Sequence, residues 1–132
     1  MSYNIAVIGP IPRDLITTYK GEVFEKYGCV THPVIALSKL LDGNGTVYPV
    51  CHLEKKDEQP VKDLLSAYPS VDVSGITSEA NRGDVIQLTF VDANVRNEKQ
   101  TGLMDPIMPK DMEPFLHCDV FVFIPITDLK GY

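Results

Sequence analysis

Ile5 to Ile8 make a compact apolar, β-prone run that stops at the turn pair Gly9-Pro10. A run of that length closed by a turn signal reads as a strand buried in an α/β core. Such a strand constrains the rest of the chain, because both of its faces must be covered and its parallel neighbours must be reached by crossovers. The loop from Gly9 to Asp14 then leaves the strand's carboxyl end, the edge of an open parallel sheet where ligands bind.

The later segments supply those neighbours. Leu15 to Phe24, turning around Lys20-Gly21, has hairpin character. After Tyr27 to Pro33 a helical pattern sets Val34, Leu37 and Leu41 on one line, with Thr31 or His32 as N-cap and Pro33 in the first turn. Asp42 to Gly45 ends that helix with glycines able to take left-handed angles, and Thr46 to Val50 is the next strand. A polar loop from His52 to Glu58 leads to a helix through Val61, Leu64, Leu65 and Tyr68, with Asp57 as N-cap and Pro60 in the first turn. Val71 to Ile76 closes a β-α-β-α-β order that favours a mostly parallel sheet with right-handed crossovers.

The texture changes after Thr77. Asp84 to Ala93 alternates polar and apolar residues, turns at Ala93-Asn94, and returns through Val95 to Thr101 as a solvent-facing antiparallel hairpin. A short helix from Asp111 to His117, capped by Asp111, precedes a last buried strand from Cys118 to Ile124. The expected fold class is α/β, a mostly parallel sheet with flanking helices plus a small antiparallel lid.

At 132 residues the chain is one domain or part of one, and it can bury roughly two-thirds of its unfolded surface. Its 44% apolar and 23% charged residues exclude a disordered tail. The apolar stretch from Val120 to Ile126 is too short to span a bilayer and is broken by Pro125. The net charge is −6 with scattered lysines and arginines, which excludes a phosphate-backbone footprint and hence nucleic acid. The start lacks a basic n-region and a long apolar h-region, so a cytoplasmic location is expected. Cys29, Cys51 and Cys118 are odd in number and widely spaced, as reduced core thiols are.

In order and spacing these segments resemble the first half of the ribokinase-like (PfkB) carbohydrate kinases. Gly9 to Asp14 matches that family's Gly-x-x-x-x-Asp-like loop, and residues 27–32 match its Gly-Gly-x-x-x-Asn stretch, with Tyr27 at the first glycine and His32 at the asparagine. The resemblance covers essentially residues 1–132, with lid segments at about 15–27 and 84–101. It implies transfer of the ATP γ-phosphoryl group to a hydroxyl of a sugar, sugar phosphate or nucleoside. ATP and Mg are implied for the full-length enzyme.

The resemblance also implies substrate contacts at Asp14, Gly28 and His32. An ionised Asp14 can accept bonds from two sugar hydroxyls, Gly28 lets a ligand approach the backbone, and His32 can make one bond in place of an amide's two. Each has a plainer alternative, as a turn aspartate, a turn glycine and a helix-end histidine. His52 and His117 have no metal-ligand spacing, and Cys29 has no identifiable base. Neither a Walker loop, nor Gly-x-Gly-x-x-Gly after a strand, nor the family's catalytic Gly-x-Gly-Asp occurs. The chain is therefore expected to carry substrate recognition and the lid without the base, and to form a homo-oligomer. The alternative is a non-enzymatic α/β module that binds a ligand or a partner.

Overall fold

A computed structural model describes residues 2–125, so the last residue of the apolar stretch ending at Ile126 lies outside the described residues. Four strands form a parallel sheet in the order β5-β4-β1-β8: β1 (Tyr3–Ile8), β4 (Gly45–His52), β5 (Ile76–Thr77) and β8 (Val120–Phe123). Between β1 and β4 the chain makes helix α1 (Thr31–Leu41), and between β4 and β5 helix α2 (Lys55–Ser66).

The sheet's two faces follow from strand alternation. Val47 and Cys51 of β4 join Ile5 and Val7 of β1 beneath Val34 of α1 and Val61 and Leu65 of α2. Ala6, Ile8 and Val50 point the other way and are covered by Phe115 and Cys118, with Tyr48 and Met112 beside them. Successive crossovers carry the chain from β1 outward to β5, whereas β8 lies on β1's other side. The strand order thus reverses between β1 and β8. In open α/β sheets the crevice at such a reversal, beyond the strands' carboxyl ends, is where ligands bind.

The second sheet runs β3-β2-β6-β7, with β2 (Arg13–Thr17), β3 (Val23–Tyr27), β6 (Val85–Phe90) and β7 (Arg96–Gly102). It consists of two hairpins, as the turn signals at Gly21 and Asn94 imply, but their central pair β2 and β6 is parallel, so the sheet is mixed. Pairing between hairpins this far apart in the chain is invisible to local pattern.

Several local expectations are corrected. Helix α1 has Val30 as N-cap, and the Thr31 hydroxyl inside its first turn donates back to the Gly28 carbonyl. Asp42 takes the left-handed C-cap conformation, and Gly43 follows it with a left-handed φ of 83°, as expected for the glycines there. Helix α2 starts at Lys55 with Glu54 as N-cap, which places Asp57 inside the first turn and Pro60 in the second. Val71 makes only an isolated bridge to Val47, so the strand after α2 shrinks to β5. Residues 109–115 form α3 (Pro109–Met112) followed by a 3₁₀ turn, and Asp111 caps from within, accepting the Met108 amide. Among the described residues β8 has a strand partner on one side only, with Val120, Phe121 and Phe123 exposed and Cys118 ahead of it buried. Apolarity alone could not distinguish a central strand from an edge.

Candidate functional site

The loop from Gly9 to Pro12 bridges β1 to β2 at the parallel sheet's carboxyl edge, and it is held there by the chain that leads into α1. Gly28 donates its amide to the Pro12 carbonyl at 3.1 Å, and Val30 donates to Pro10 at 3.3 Å. Gly9 is required by close approach, since a Cβ there would stand 2.5 Å from the Ile124 carbonyl oxygen of the chain following β8. The loop therefore sits directly at the sheet's point of reversal.

Asp14 projects from β2 beside that loop and is only 9% exposed. Its carboxylate accepts no hydrogen bond from the described residues. Burial pushes its pKa above the usual carboxylate range, against the opposing charges of Lys26, His32 and Arg96 and with a further push from Glu98. Gly28 lies against it: a Cβ on Gly28 would come within 2.6 Å of Asp14 Oδ2. His32 is exposed in the first turn of α1. The structure thus brings Asp14 and Gly28 into contact and puts His32 within electrostatic reach of the carboxylate.

A carboxylate whose pKa is raised by burial and that is free of donors among the described residues keeps both oxygens available to accept hydrogen bonds. Its pH signature has a definite sign. Asp84, 3% exposed with Oδ1 accepting the Met104 amide and Oδ2 without a partner, is raised by burial in the same way. Each folded-state pKa lies above the unfolded value near 3.8. The native state therefore holds these protons more tightly, and their contribution to stability falls as pH rises from that value through the folded pKa, then levels off. Asp14→Asn should raise stability at pH 7 by about 1 kcal/mol relative to the parent chain, and by less near pH 4, in thermal unfolding followed across that range. A variant less stable than the parent at pH 7 would count against an unpaired, desolvated Asp14.

Four residues that sequence reasoning does not single out as functional join the two sheets next to this site. The Arg13 guanidinium donates from Nε to Asp57 Oδ2 at 3.3 Å and from Nη2 to Glu54 Oε2 at 3.1 Å. The Tyr27 hydroxyl donates to Asp57 Oδ1 at 2.8 Å. Burial first, and then this bond, push the Tyr27 phenol up to about 12. In sequence, Asp57 reads as a helix cap and Tyr27 as a departure from a glycine. No local signal links residues 44 positions apart.

The remaining sequence candidates lie elsewhere. His52 bonds the Thr77 hydroxyl through Nδ1 and Asp111 through Nε2, each at 3.1 Å, and so ties α3 to the ends of β4 and β5. It borders a cleft of about 350 Å³ with Glu79, Asp105 and Lys110, a cleft that Asp14, Gly28 and His32 do not line. His117 stands edge-on to Tyr48. Burial, with the charges of Asp84 and Asp14 adding to it, pushes the Cys29 thiol up to about 11, which leaves it protonated and a poor nucleophile at neutral pH.

The class these features define is an α/β protein with its crevice at the carboxyl edge of a parallel sheet and a second, mixed sheet attached there. Within that class, the chain has the ribokinase-like fold. It superposes on a pyrophosphate-dependent kinase of the ribokinase family, complexed with a pyrophosphate analog and myo-inositol, with a TM-score of 0.67 and 20% identity over 92% of this chain and 39% of that one. Halothermothrix orenii fructokinase matches with a TM-score of 0.67 and 15% identity, covering 91% of this chain and 45% of its own. Ribokinase from Cryptococcus neoformans var. grubii serotype A, in complex with ADP, matches at 0.64 and 12%, covering 85% and 38%. The chain spans less than half the length of these structures. No family model and no curated protein matches the sequence.

Proposed function

We propose that this chain binds a small polyol, as a sugar, sugar phosphate or nucleoside, and forms the substrate-recognition and lid part of a ribokinase-like kinase that transfers a phosphoryl group from ATP to a substrate hydroxyl. The observation that carries the reading is Asp14, a residue 9% exposed whose carboxylate takes no hydrogen bond from the described residues and touches Gly28, in a fold shared with sugar kinases. Two vicinal hydroxyls would satisfy its two oxygens, and the bare Cα of Gly28 keeps the space beside it. His32 stands at the rim to donate or accept one further bond. The second sheet acts as the lid, and its strands β2 and β6 bring Asp14 and Ile86 side by side over the crevice.

The phosphoryl donor is a different matter. Among the described residues no group of three His, Cys, Asp or Glu side chains could hold a metal ion, and the sequence contains neither a phosphate-binding glycine loop nor Gly-x-Gly-Asp. The motifs that would cradle the phosphates of ATP and supply the base are therefore not offered by these residues. Calorimetric titration of the purified chain with myo-inositol, fructose, ribose and adenosine tests the reading directly. One of them should bind without any ATP-dependent phosphorylation; phosphorylation by this chain, or binding by none of the probes, overturns it.

A non-enzymatic ligand-binding module is the second reading, favoured by one observation: Tyr27, where the kinase motif has its first glycine, is committed to a structural bond with Asp57. Binding without turnover by any longer form of the chain would select it.

The partner expected for the lid is a second copy. The outer strand β3 exposes Val23 at 71% and Phe24 at 47% beside Glu25 and Lys26, whereas the opposite edge, β7, carries no large apolar side chain and exposes Arg96, Glu98 and Lys99. Light scattering should give a dimer mass that falls to the monomer in Val23→Lys; a parent chain that is already monomeric contradicts this. A cytoplasmic setting, where thiols stay reduced, suits its free cysteines.

A further inference from the structure

We propose that Asp57 is a positioning residue for the Asp14 site, holding the second sheet on the parallel sheet through Arg13 and Tyr27; its effect on ligand rests on the substrate reading above. Arg13 precedes Asp14 on β2, and Tyr27 precedes Gly28 at the end of β3. The two are direct cross-strand partners. Successive residues of a strand face opposite ways, so fixing the Arg13 side chain on one face of the sheet fixes Asp14 on the other. Anchoring Tyr27 likewise fixes where the chain turns into Gly28.

Both anchors converge on one carboxylate. Asp57 is 5% exposed, one oxygen takes the Tyr27 hydroxyl and the other the Arg13 guanidinium, and both bonds come from the second sheet to a helix packed on the first. Glu54 adds a second acceptor for Arg13 from the same helix start, while Glu25 stands farther off at 4.0 Å. A carboxylate that served only to cap α2 would turn its oxygens toward the helix's own amides. Asp57 commits both to residues adjoining the ligand pair.

The anchoring has a directional consequence. Residues 78–84, which lead into β6, are tied to α2 by the Lys55 amide on Asn81 and the Ser78 hydroxyl on Glu58, whereas β2 and β3 are tied to α2 by this cluster, so its loss frees β2 and β3 before it affects β1. A merely structural contribution to the core would loosen both alike.

The test uses the purified, ligand-free chain and two variants. Tyr27→Phe keeps the ring and removes only the hydroxyl, and Asp57→Asn keeps the shape while losing the charge. Amide hydrogen exchange should accelerate at least tenfold across Arg13–Thr17 and Val23–Gly28 in both, with Tyr3–Ile8 unchanged. Unchanged exchange in the second sheet, or an equal acceleration in β1, overturns the proposal. In parallel, whichever of myo-inositol, fructose, ribose or adenosine binds the parent chain should bind Tyr27→Phe about tenfold more weakly; equal affinity also overturns it. A parent chain that binds none of the four defeats the substrate reading alone, and exchange then decides the latch.

Discussion

Asp14→Ala should weaken polyol binding by more than a hundredfold, to the point of no measurable heat in a calorimetric titration. A ligand that meets this carboxylate replaces water on a side chain of a residue 9% exposed, with no donor among the described residues. Hydrogen bonds to a charged group contribute about 1.5–3 kcal/mol each, so losing two removes about 3–6 kcal/mol, and each 1.4 kcal/mol is tenfold in affinity. Asp14→Asn keeps one acceptor oxygen and should fall in between. The stability effect runs in the opposite sense, because removing a desolvated charge relieves the empty site. Loss of binding together with a higher unfolding midpoint at pH 7 separates a ligand-binding carboxylate from a turn aspartate, whose removal would lower the midpoint. Binding retained within threefold in Asp14→Ala would remove Asp14 from the site.

Gly28→Ala should cost ten- to a hundredfold in affinity while leaving the fold intact. The new methyl would lie 2.6 Å from Asp14 Oδ2, closer than carbon and oxygen can approach, and 3.6 Å from Asp14 Cγ, an ordinary contact. The carboxylate must therefore rotate while the backbone stays in place. Gly28 holds no left-handed angle, so alanine adds no backbone strain. Displacing a ligand-orienting group by about 1 Å can cost on the order of a hundredfold. Titration measures the loss, and a thermal scan within about a degree of the parent chain confirms that only the carboxylate moved. Unchanged affinity would show that the space beside Asp14 is not where ligand enters.

Much of the frame was legible because it is written in local pattern. The apolar run of β1, the glycines after α1 and the alternation of β6 each encode one element through side-chain periodicity or backbone freedom. Asp14 and Gly28 were legible only as members of a spaced motif, and their contact could not be read. Helix starts were misplaced at Thr31, Asp57 and Asp111 because good capping residues also sit inside first turns, where a carboxylate can serve another element. The supposed burial of β8 failed for a related reason: Val120 to Phe123 look the same in sequence whether a neighbouring strand covers them or not.

The opening run from Ile5 to Ile8 and the turn after it determined, with no structure, that this is an α/β chain in which the loop to Asp14 leaves the carboxyl end of a buried strand. Strand and helix periods are short-range, and a few residues suffice to set them. What only the tertiary structure decided is what surrounds that loop. The reversal of strand order beside β1, the parallel pairing of β2 with β6, the burial of Asp14 without a donor, and the meeting of Arg13, Tyr27 and Asp57 all depend on contacts between distant residues. Such contacts are specified by the packing of the whole chain, since the free energy that holds them is shared among elements and leaves no period in the sequence of any one.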